Sequence, residues 1–561
     1  MHISKVYIQN FKGIKELTID LNEKINILVG KNDSCKSTII EAINIALTSY
    51  YRGKKLDISE NLFNKEVVKE YLASFAKGRI HCTPPMILIE LYFSNAEDTL
   101  SDLKGSINHL REDAIGFSYK IQFDDTYNKE YEVFVKSNEI NGIPIEYYKS
   151  VRVGFNDDSS ISPKSVNYKS IIIDNAYSNI SDNYSKRIIE DYFDDSEKMV
   201  MTQEQRKMLE SIEANTAFKS VNAKIKSDSK FADKNIRLSL EKTSKTSWET
   251  LLTTEINEIP FENIGRGEQC IVKTFLALSN PKIENKNIIL MEEPESHLSF
   301  SKLYKLIETI VSTTQGHQII ITTHNSFVLN KLGLDNLILV SKTINDGKSD
   351  NRSSRIMQLN NETIDFFKKR SGYDTLRLIL SETAVLVEGD SDDLIFQRAF
   401  SDKVEDSEGK VLPVTKGIDV ITVGLSFLRF LELASKLGVK TAVITDNDGD
   451  ISAIKRKYSD YLDDKKQPSI HIFYSATEYD DVNISKDKVP NQNTLEPCIV
   501  FSNELAVLQN VFGDKFNCQE DVIHHMISNK TDCALKIFDS KVKISFPKYI
   551  EDAVTWLITE N

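Results

Sequence analysis

Acidic side chains occur at two separated places, each after an apolar run that is typical of a buried strand. In "AVLVEGDSDDLIF" the apolar run ends at Glu388, and a helical pattern carrying Asp392 follows. In "TAVITDNDGD" the run ends shortly before Asp446 and Asp448. Because strand ends in an open α/β sheet meet at one edge, we expect these four carboxylates to converge. Converging carboxylates repel one another unless hard cations bind between them, and oxygen ligands without histidine favour Mg²⁺ or Mn²⁺ over zinc.

The stretch "VGKNDSCKST" has the GxxxxGK(S/T) pattern of a phosphate-binding loop, except that Cys35 replaces the second glycine. In such a loop the backbone N–H groups point at the phosphates, and the following helix adds its N-terminal dipole. Lys36 is expected to reach the β- and γ-phosphates of ATP, and Ser37 is expected to hold Mg²⁺. The residues predicted to contact the nucleotide are Gly30, Asn32, Cys35, Lys36, Ser37 and Thr38.

Cys35 keeps the backbone N–H that a glycine would supply, so the main donor at this position survives. A left-handed residue with a β-carbon costs about 1–2 kcal/mol, whereas a residue with negative φ costs almost nothing unless the thiol touches the ligand. A thiol at a helix N-terminus beside Lys36 is expected to have a lowered pKa. We therefore expect Cys35 to be alkylated readily, ATP to protect it, and Cys35→Gly to raise the nucleotide affinity.

Three further segments suit a nucleotide site. "IILMEEPESHL" is an apolar strand ending in Glu292, expected to orient Mg²⁺ through water, and Glu293, expected to activate the attacking water. "IIITTHNSF" places His324 at a strand end, where it could sense the γ-phosphate, and "NIGRGEQ" places Gly265 and Gly267 in a turn before an apolar helix. Each of these motifs has a simpler explanation when it occurs alone: paired glutamates can complement a helix dipole, and a single histidine can be structural. The occurrence of all these motifs in this order predicts an ATP site.

Length and composition are those of an ordinary globular protein with several domains. A chain of 561 residues is too long for one hydrophobic core. No apolar run approaches the ~20 residues of a membrane-spanning helix, and the N-terminal segment alternates like a strand, without the apolar centre of a signal peptide. The six cysteines form no CxxC pair, which argues against a disulfide framework or a zinc ribbon. We expect a cytoplasmic protein that does not bind membranes.

The formal net charge of −13 argues weakly against a protein that coats nucleic acid. A local basic stripe is nevertheless enough to bind phosphates. Residues 217–246 contain eight lysines and arginines against three acids. Such a stretch is either a nucleic-acid-binding stripe or the solvated face of a helix.

The pattern of elements predicts two α/β domains. Strands are predicted around residues 4–10, 17–21, 25–29, 86–93, 171–173, 288–291 and 318–322, and a helix at 36–49. The polar, breaker-rich stretch "SKTINDGKSDNRSSR" predicts a linker at 341–355. The predicted divisions are the two parts of an ATPase domain at 1–182 and 251–345, a charged helical insertion at 183–250, a linker at 346–380 and a second α/β domain at 381–561.

The order of the nucleotide motifs resembles the ABC-type ATPase heads of repair and chromosome-maintenance ATPases, and "IQNFKGI" resembles their opening strand and turn. In that family the glycine-rich turn closes over nucleotide bound to a second subunit. The chain departs from the family at Cys35, at Glu292 in place of aspartate, and in "IGRGEQ", which lacks the serine of LSGGQ. The two acidic strand ends, Glu-Gly and Asp-x-Asp, resemble the TOPRIM fold of topoisomerases, primases and certain nucleases.

An ABC-type head followed by a TOPRIM domain resembles the OLD (overcoming lysogenization defect) endonucleases, which include the nuclease subunit of Gabija phage defence. "EEPESHL", "TTHNSFVL", "VGLSFLRF", "TLEP" and "NKTDCALKIF" carry the resemblance. It implies two-metal hydrolysis of DNA, dimerisation through the helical insertion, larger homo-oligomers and, for the Gabija type, a helicase-like partner. The implied metal ligands are Glu388, Asp392, Asp446 and Asp448, assisted by Glu496, and the implied transition-state lysine is Lys530, preferred to Lys536 and Lys541, with a surface lysine as the alternative.

The leading interpretation is a DNA endonuclease controlled by nucleotide binding and active in phage defence. The first alternative is a recombination or repair ATPase whose TOPRIM domain only binds DNA. A binding module gains nothing from clustered carboxylates that face phosphates, which argues against this alternative. The second alternative, a topoisomerase or primase, requires a cleavage tyrosine in a separate DNA-binding domain or primase zinc signatures, and the sequence shows neither.

Overall fold

The computed structural model contains two compact units. The first consists of Met1–Thr323 with Ile338–Ser354, and the second of His324–Leu337 with Arg355–Asn561. Within the part of the chain that is described, no helix has the length and apolar character needed to cross a membrane. The structure describes all residues except 53, 77–82, 97–99, 138–140, 159–160, 162–165, 167, 175–192, 228–236, 241–247, 249–251, 253, 280–286, 314–316, 346–347, 356–358, 407–408, 466, 478–488, 490 and 560–561.

The first unit contains two sheets and the helices that accompany them. Its main strands are β1 (His2–Phe11), β2 (Ile14–Asp20), β3 (Ile25–Val29), β4 (Ile87–Ser94), β5 (Lys104–Gly105), β6 (Ala114–Phe123), β7 (Tyr148–Gly154), β8 (Lys169–Asp174), β9 (Asn287–Glu292), β10 (Gln318–Thr322), β11 (Leu337–Asn345) and β12 (Lys348–Arg355). Its helices are α1 (Lys36–Thr48), α2 (Lys65–Ala76), α3 (Asn128–Ser137), α4 (Asp195–Ala214), α5 (Thr216–Ser227), α6 (Arg266–Ser279) and α7 (Phe300–Thr313).

The first sheet is antiparallel and has the order β2-β1-β4-β6-β5, with β7 paired to β6. Strands β1 and β2 form a hairpin in which Phe11 faces Ile14, and Lys12 in the turn has a φ of 49°. Strand β4 is buried over almost its whole length, so this part of the sheet is covered on both faces. The predicted strand, turn and strand at the N-terminus are present.

The second sheet contains the strands that lead into the predicted nucleotide residues. Its order is β8-β9-β10-β3-β11-β12, and neighbouring strands from β8 to β3 run parallel. Every residue of β10 is buried, as expected for a parallel sheet covered on both faces. Because parallel strands end at the same edge, the loops after β3, β9 and β10 open on one side of this sheet.

Helices α4 and α5 lie in the segment predicted as a charged helical insertion. Helix α4 begins with a capping box, in which Asp194 accepts hydrogen bonds from the N–H groups of Ser196 and Glu197 and Glu197 reaches back to the N–H of Asp194. Most of the two helical surfaces is exposed to solvent. Four parts of the predicted insertion lie outside the described residues: 183–192, 228–236, 241–247 and 249–250.

The second unit is built around one smaller sheet. Its strands are β13 (Thr383–Val387), β14 (Ile418–Thr422), β15 (Lys440–Ile444) and β16 (Ile470–Phe473). Its helices are α8 (Ser326–Leu332), α9 (Asn361–Lys369), α10 (Thr375–Leu380), α11 (Asp390–Lys403), α12 (Phe427–Leu437), α13 (Ile451–Lys457), α14 (Leu495–Phe501), α15 (Leu505–Phe512), α16 (Gln519–Ser528), α17 (Lys530–Asp539) and α18 (Lys548–Thr559).

This sheet is parallel and has the order β14-β13-β15-β16. Every residue of the central strand β13 is buried. The register places Leu386 of β13 beside Val443 of β15, so the two strands end side by side. The acidic residues that follow these strands therefore lie at one edge of the sheet, as the sequence predicts.

The stretch 341–355 is not the predicted linker. Strand β11 lies beside β3, and β12 forms the edge of the same sheet. Within the predicted linker at 346–380, helices α9 and α10 follow β12. An edge strand pairs through its backbone on one side only, so it needs few apolar side chains and a polar sequence conceals it. The buried Asn351 in β12 shows that even the inward positions of this strand can be polar.

Candidate functional site

The phosphate-binding loop connects β3 to α1. Gly30 has no room for a side chain, because a β-carbon there would lie 2.2 Å from the carbonyl oxygen of Val340. The ammonium of Lys36 lies under the loop, where it donates to the carbonyl oxygens of Gly30 at 2.9 Å and Lys31 at 3.1 Å. Burial lowers the pKa of Lys36, and the carboxylate of Glu293 partly opposes this effect. The loop therefore has the compact form and the inward lysine that phosphate binding requires.

Cys35 occupies the last loop position before α1 with a φ of 69°. Of the two cases that the sequence leaves open, the left-handed one applies, and it costs about 1–2 kcal/mol relative to glycine. The thiol lies against the β1–β2 turn and β12: a β-carbon on Gly13 would lie 2.6 Å from its sulfur, and Asn351 Nδ2 lies 3.9 Å from the sulfur. The side chain is thus packed into the unit.

The expected lowering of the Cys35 pKa is wrong. Burial raises the pKa of this thiol, and the opposing effects of Lys342, Asn351 and Lys36 are smaller. A cysteine that packs inward loses solvation of its thiolate, and the loop lysine beside it does not restore that loss. The expectation of ready alkylation loses its physical basis, because the thiolate is the reactive form.

The paired glutamates lie at the end of β9, at the same sheet edge as the phosphate-binding loop. Glu292 is the last residue of β9 and lies in register with Thr322 of β10. Glu293 has a φ of 41°, and its N–H donates to the carbonyl oxygen of Thr322 at 3.0 Å. Because the carboxylate of Glu293 acts on the pKa of Lys36, the structure brings the second glutamate and the loop lysine into one site.

The glycine-rich turn packs against the loop that follows the paired glutamates. A β-carbon on Gly267 would lie 2.4 Å from the carbonyl oxygen of His297, so this position requires glycine. Gly265 faces open space, and its carbonyl oxygen accepts the N–H of Gln269 at 3.0 Å. His324 follows β10 by two residues and is exposed. Asn32 and Ser37 are exposed and Thr38 is half-buried, so the predicted magnesium and phosphate contacts are accessible.

In the second unit, Glu388 and Asp392 lie on either side of the turn between β13 and α11. Glu388 is exposed at the strand end, and its carbonyl oxygen accepts the N–H of Gly424 at 3.0 Å. Asp392 lies in the first turn of α11, and its carboxylate accepts the N–H of Gly389 at 3.0 Å. This hydrogen bond turns Asp392 back toward the end of β13, as a helix-capping carboxylate does.

Asp446 follows β15, and both of its carboxylate oxygens accept hydrogen bonds. Oδ2 accepts the backbone N–H of Leu495 at 3.1 Å, and Oδ1 accepts the hydroxyl of Tyr549 at 3.3 Å. Asp448 is exposed in a loop with a φ of 50°, and its Oδ1 accepts the side-chain amide of Asn491 at 3.1 Å. The two aspartates of the Asp-x-Asp pattern thus differ in burial.

Glu496 and Lys530 form an ion pair beside these aspartates. Glu496 lies in the first turn of α14 with a side chain only 5% exposed, and its Oε1 lies 3.1 Å from the Nζ of Lys530. Its other oxygen, Oε2, is buried and has no hydrogen-bond partner among the described residues. Lys530 begins α17, and its side chain is 54% exposed, so it can also meet a ligand from solvent.

The pKa shifts show which of these groups act on one another. The pKa of Asp392 is raised to about 6, mainly by burial and further by the nearby carboxylates of Glu388 and Glu496. The pKa of Asp446 is raised well above its ordinary value, mainly by burial and further by the carboxylates of Asp392, Glu496 and Asp448. For Lys530, burial alone lowers the pKa, but Glu496, Asp446 and Asp392 outweigh it and raise it. We call Glu388, Asp392, Asp446, Asp448, Glu496 and Lys530 the acidic cluster.

The acidic cluster fits divalent cations by its donor set. Its five carboxylates are accompanied by one lysine, and the buried Oε2 of Glu496 has a free lone pair. Oxygen donors of this kind are the ligands of Mg²⁺ and Mn²⁺. Among the described residues, no three acidic, histidine or cysteine side chains already stand close enough together to enclose a metal ion. The carboxylates share one sheet edge, and closing them around a cation requires side-chain adjustment.

Tyr549 and the backbone of Leu495 belong to the site, although the sequence gives no sign of them. Tyr549 lies 103 residues from Asp446 along the chain, and a backbone N–H has no signature in residue type. Cys498, one helical turn beyond Leu495, is also close: burial, Asp446 and Glu496 raise its pKa to about 12. A single sequence without homologues offers no pattern that connects these residues with the aspartate.

The fold and the two sites define a phosphate-loop ATPase unit followed by a TOPRIM-type unit. A family model described as "AAA ATPase domain" matches residues 1–329, more than half of the chain, and one described as "Overcoming lysogenization defect protein-like, TOPRIM domain" matches residues 379–448. The chain therefore belongs to the AAA ATPase domain family and carries an OLD-like TOPRIM domain. The predicted α/β class, an ABC-type ATPase head followed by TOPRIM, and the OLD resemblance are confirmed, while the Gabija resemblance stays a prediction.

Individual relatives match shorter stretches. The DNA replication and repair protein RecF of Psychromonas ingrahamii is 31% identical over 106 residues, which are 19% of this chain and 28% of that protein. An uncharacterized protein of Methanocaldococcus jannaschii is 27% identical over 140 residues, which are 24% of this chain and 55% of that protein. The chain thus spans between about a quarter and just over half of the length of these relatives.

Two solved structures share low similarity with the chain. The Smc head bound to the C-winged helix domain of ScpA has 15% sequence identity and a TM-score of 0.35, and it covers 63% of this chain and 98% of its own. The SMC head domain from Thermotoga maritima has 13% identity and a TM-score of 0.29, with the same two coverages. At these scores the likeness adds no argument about fold or function.

Proposed function

We propose that the chain is an ATP-regulated, metal-dependent DNA endonuclease that hydrolyses phosphodiester bonds in the cytoplasm, in defence against phages. The observation that carries this proposal is the acidic cluster, in which Asp392, Asp446 and Glu496 converge with Lys530 at the carboxyl edge of a parallel sheet. Ligands of open α/β sheets bind at this edge. The OLD-like TOPRIM match over the same strands supports the assignment.

Each residue of the cluster has a defined part in the proposed reaction. Glu388, Asp392, Asp446 and Asp448 hold the divalent cations, and Glu496 assists them. Bound Mg²⁺ or Mn²⁺ supplies charge for the attacking water and the leaving oxygen of a phosphodiester. Lys530, charged and half exposed, offers its ammonium to the phosphate oxygens as negative charge develops. The hydrogen bond from Leu495 keeps one oxygen of Asp446 in a fixed direction.

The ATPase unit supplies the proposed control. Lys36 holds the β- and γ-phosphates, Ser37 and Glu292 hold Mg²⁺, and Glu293 activates the attacking water. The contacts among Lys36, Glu293 and the loop support this assignment. His324 senses the γ-phosphate, and the turn containing Gly265 and Gly267 closes over the nucleotide of a second subunit, as the family resemblance implies.

The proposed assembly follows from the same resemblance. The segment at 183–250 dimerises the chain, and its exposed apolar side chains on α4, such as Met199, Val200 and Met208, suit a helix–helix contact. Larger homo-oligomers form from these dimers. A helicase-like protein is the proposed partner for the Gabija type.

A repair ATPase whose second unit only binds DNA is the other candidate. It is favoured by the 31% identity to a DNA replication and repair protein over 106 residues. That match is confined to a fifth of the chain, whereas the acidic cluster is an independent feature of the second unit. A module that only binds DNA would present lysines and arginines to the phosphates rather than clustered carboxylates.

The proposal is tested by nicking of supercoiled plasmid with Mg²⁺ or Mn²⁺. Glu388→Ala and Asp446→Ala are each expected to lower the cleavage rate by at least about a hundredfold, because each removes a charged group from the cation site. Glu382→Ala is the matched control: this exposed glutamate precedes the other end of β13, and its loss should leave cleavage unchanged.

ATP control is tested in the same assay with Lys36→Ala. ATP should change the cleavage rate of the natural protein and leave that of this variant unchanged, because the variant lacks the phosphate-binding ammonium. Full cleavage by both acidic variants would remove the nuclease assignment and favour the repair-ATPase candidate. An identical response of Lys36→Ala and the natural protein to ATP would remove the control by nucleotide.

A further inference from the structure

A tyrosine in the C-terminal helix reaches the acidic cluster from inside the protein. Tyr549 lies in the first turn of α18 and is only 6% exposed. Its hydroxyl donates to Oδ1 of Asp446 at 3.3 Å. Helix α18 packs on α11, β15 and β16, so the tyrosine enters beneath the sheet edge and not from solvent.

The two hydrogen bonds to Asp446 come from different elements. Oδ1 accepts the Tyr549 hydroxyl from α18, and Oδ2 accepts the N–H of Leu495 from the start of α14. Two donors on the two oxygens restrict rotation of the carboxylate about its bond to Cβ. An ionised carboxylate has about four acceptor positions, so each oxygen keeps a lone pair for a cation. The donors thus orient Asp446 without using up its capacity to bind metal.

The charged groups around Asp446 make the two hydrogen bonds to its carboxylate important for cation binding. Asp446 is half-buried next to Asp392 and Glu496, and both repel its charged form. Hydrogen bonds to a charged group are stronger than those to neutral groups, and they favour the ionised state that a cation requires. Groups that hydrogen-bond metal ligands orient them, and their loss typically weakens metal binding about 10–100-fold.

We infer that Tyr549 is a positioning residue that holds the carboxylate of Asp446 in the orientation for binding a divalent cation. The inference rests on the proposed function, because it assigns Asp446 to the cation site. It adds a residue that no sequence motif marks, and it gives α18 a part in the site. Tyr549 touches Asp446 and acts on the cation only through that side chain.

The alternative is that Tyr549 only fills space. It belongs to the hydrophobic core of the second unit together with Ile550, Ala553 and Val554. Tyr549→Phe separates the two roles, because it keeps the ring in the core and removes only the hydroxyl. Trp556→Phe is the matched control. Trp556 lies on the same helix, but its ring packs at a tilt against His471 and lies under the ammonium of Lys440, so this substitution loosens α18 without changing a contact of Asp446.

The experiment is a titration of the full chain with Mn²⁺, without DNA or nucleotide, in which free Mn²⁺ is followed by electron paramagnetic resonance. Tyr549→Phe is expected to weaken Mn²⁺ binding at least about tenfold. Asp446→Asn should weaken it further, because a ligand charge is lost. Trp556→Phe should lower the melting temperature and change the Mn²⁺ affinity less than about twofold.

The outcomes separate this inference from the proposed function. If Tyr549→Phe binds Mn²⁺ like the natural protein while Asp446→Asn is weakened, Tyr549 has no positioning role, and the cation site stands. If Tyr549→Phe and Trp556→Phe are weakened alike, the effect is a loosening of α18 and the inference is overturned. If the natural protein and Asp446→Asn bind Mn²⁺ equally, the cation site itself is absent, and the proposed nuclease fails with it.

Discussion

Cys35 is the residue at which the nucleotide loop departs from its pattern, and its backbone explains the cost. With a φ of 69°, the β-carbon of Cys35 crowds the backbone as glycine would not. Its sulfur lies where a side chain on Gly13 would be, and it is 3.9 Å from Nδ2 of Asn351. If the loop moved to bind phosphates, these contacts would have to change. The backbone of Cys35 is therefore strained, and the contacts of its thiol restrain its position.

Two substitutions separate these effects. Cys35→Ala removes the thiol contacts and keeps the β-carbon, whereas Cys35→Gly removes both. The glycine variant should exceed the alanine variant by about 1–2 kcal/mol in the free energy of unfolding, measured with urea, because only glycine is relaxed at this φ. ATP affinity, measured by calorimetry, should be highest for Cys35→Gly. Equal stability of the two variants would show that residue 35 carries no strain, and equal ATP affinity in all three proteins would show that the thiol contacts do not restrain the loop.

At the scale of single residues, motif positions are predictable and their surroundings are not. The sequence places Lys36 and Glu293 in one nucleotide site and Asp392 and Asp446 at one sheet edge, because strand ends gather such residues whatever the rest of the chain does. The direction of the Cys35 pKa shift cannot be predicted in this way. It depends on burial by residues distant in the chain, which a single sequence does not reveal.

Helices α11 and α17 are joined by a buried arginine. Arg398 of α11 is 4% exposed and pairs with Asp402 at 2.7 Å. Its guanidinium donates to backbone carbonyl oxygens at and beyond the end of α17, including those of Ile537 at 2.7 Å and Val542 at 3.0 Å. Because Asp392 begins α11 and Lys530 begins α17, this arginine joins the two helices that carry opposite charges of the acidic cluster.

Removal of this arginine should destabilise the second unit strongly. Arg398→Met leaves Asp402 and several backbone carbonyl groups, among them the buried one of Ile537, without their donor, and we expect a loss of about 3–5 kcal/mol in the free energy of unfolding. Arg398→Lys keeps the charge but not the planar set of donors, so its loss should be smaller. Urea denaturation measures both. Arg456→Lys, at an exposed pair with Asp450, is the control and should change little. A loss below about 1 kcal/mol in Arg398→Met would contradict the proposed link.

Elements buried on both faces are the ones that the sequence predicts well. Strands β3 and β10 have the predicted bounds, because a continuous apolar run of strand length has few alternatives. The predicted linker at 341–355 covers the end of β11 and all of β12, because "SKTINDGKSDNRSSR" contains no continuous apolar run. Pairing with β3 is a property of the sheet and not of the local sequence, so local patterns cannot reveal it.

At the scale of the whole molecule, acidic side chains outnumber basic ones, 83 to 70. Asp392 and Asp446 are half-buried in the acidic cluster, and burial and neighbouring carboxylates raise the pKa values of both. The folded chain therefore binds more protons than the unfolded chain at pH values between the ordinary pKa of an aspartate and the raised values. A divalent cation that binds the cluster competes with those protons, which links metal, pH and stability in one equilibrium.

The sign of this linkage gives a prediction for the intact chain. The pKa of Asp392 rises on folding to about 6, so its protonated form stabilises the fold at low pH and this contribution is lost as the pH rises through that value. Above it, the ionised cluster costs stability, and Mn²⁺ removes the cost by binding between the carboxylates. Mn²⁺ should therefore raise the melting temperature clearly at about pH 7.5 and little at about pH 5, because protons occupy the ligands there. Calorimetry of the natural protein and Asp446→Asn measures this difference. An equal rise at both pH values, or a rise that persists undiminished in Asp446→Asn, would place the stabilising cation outside the acidic cluster.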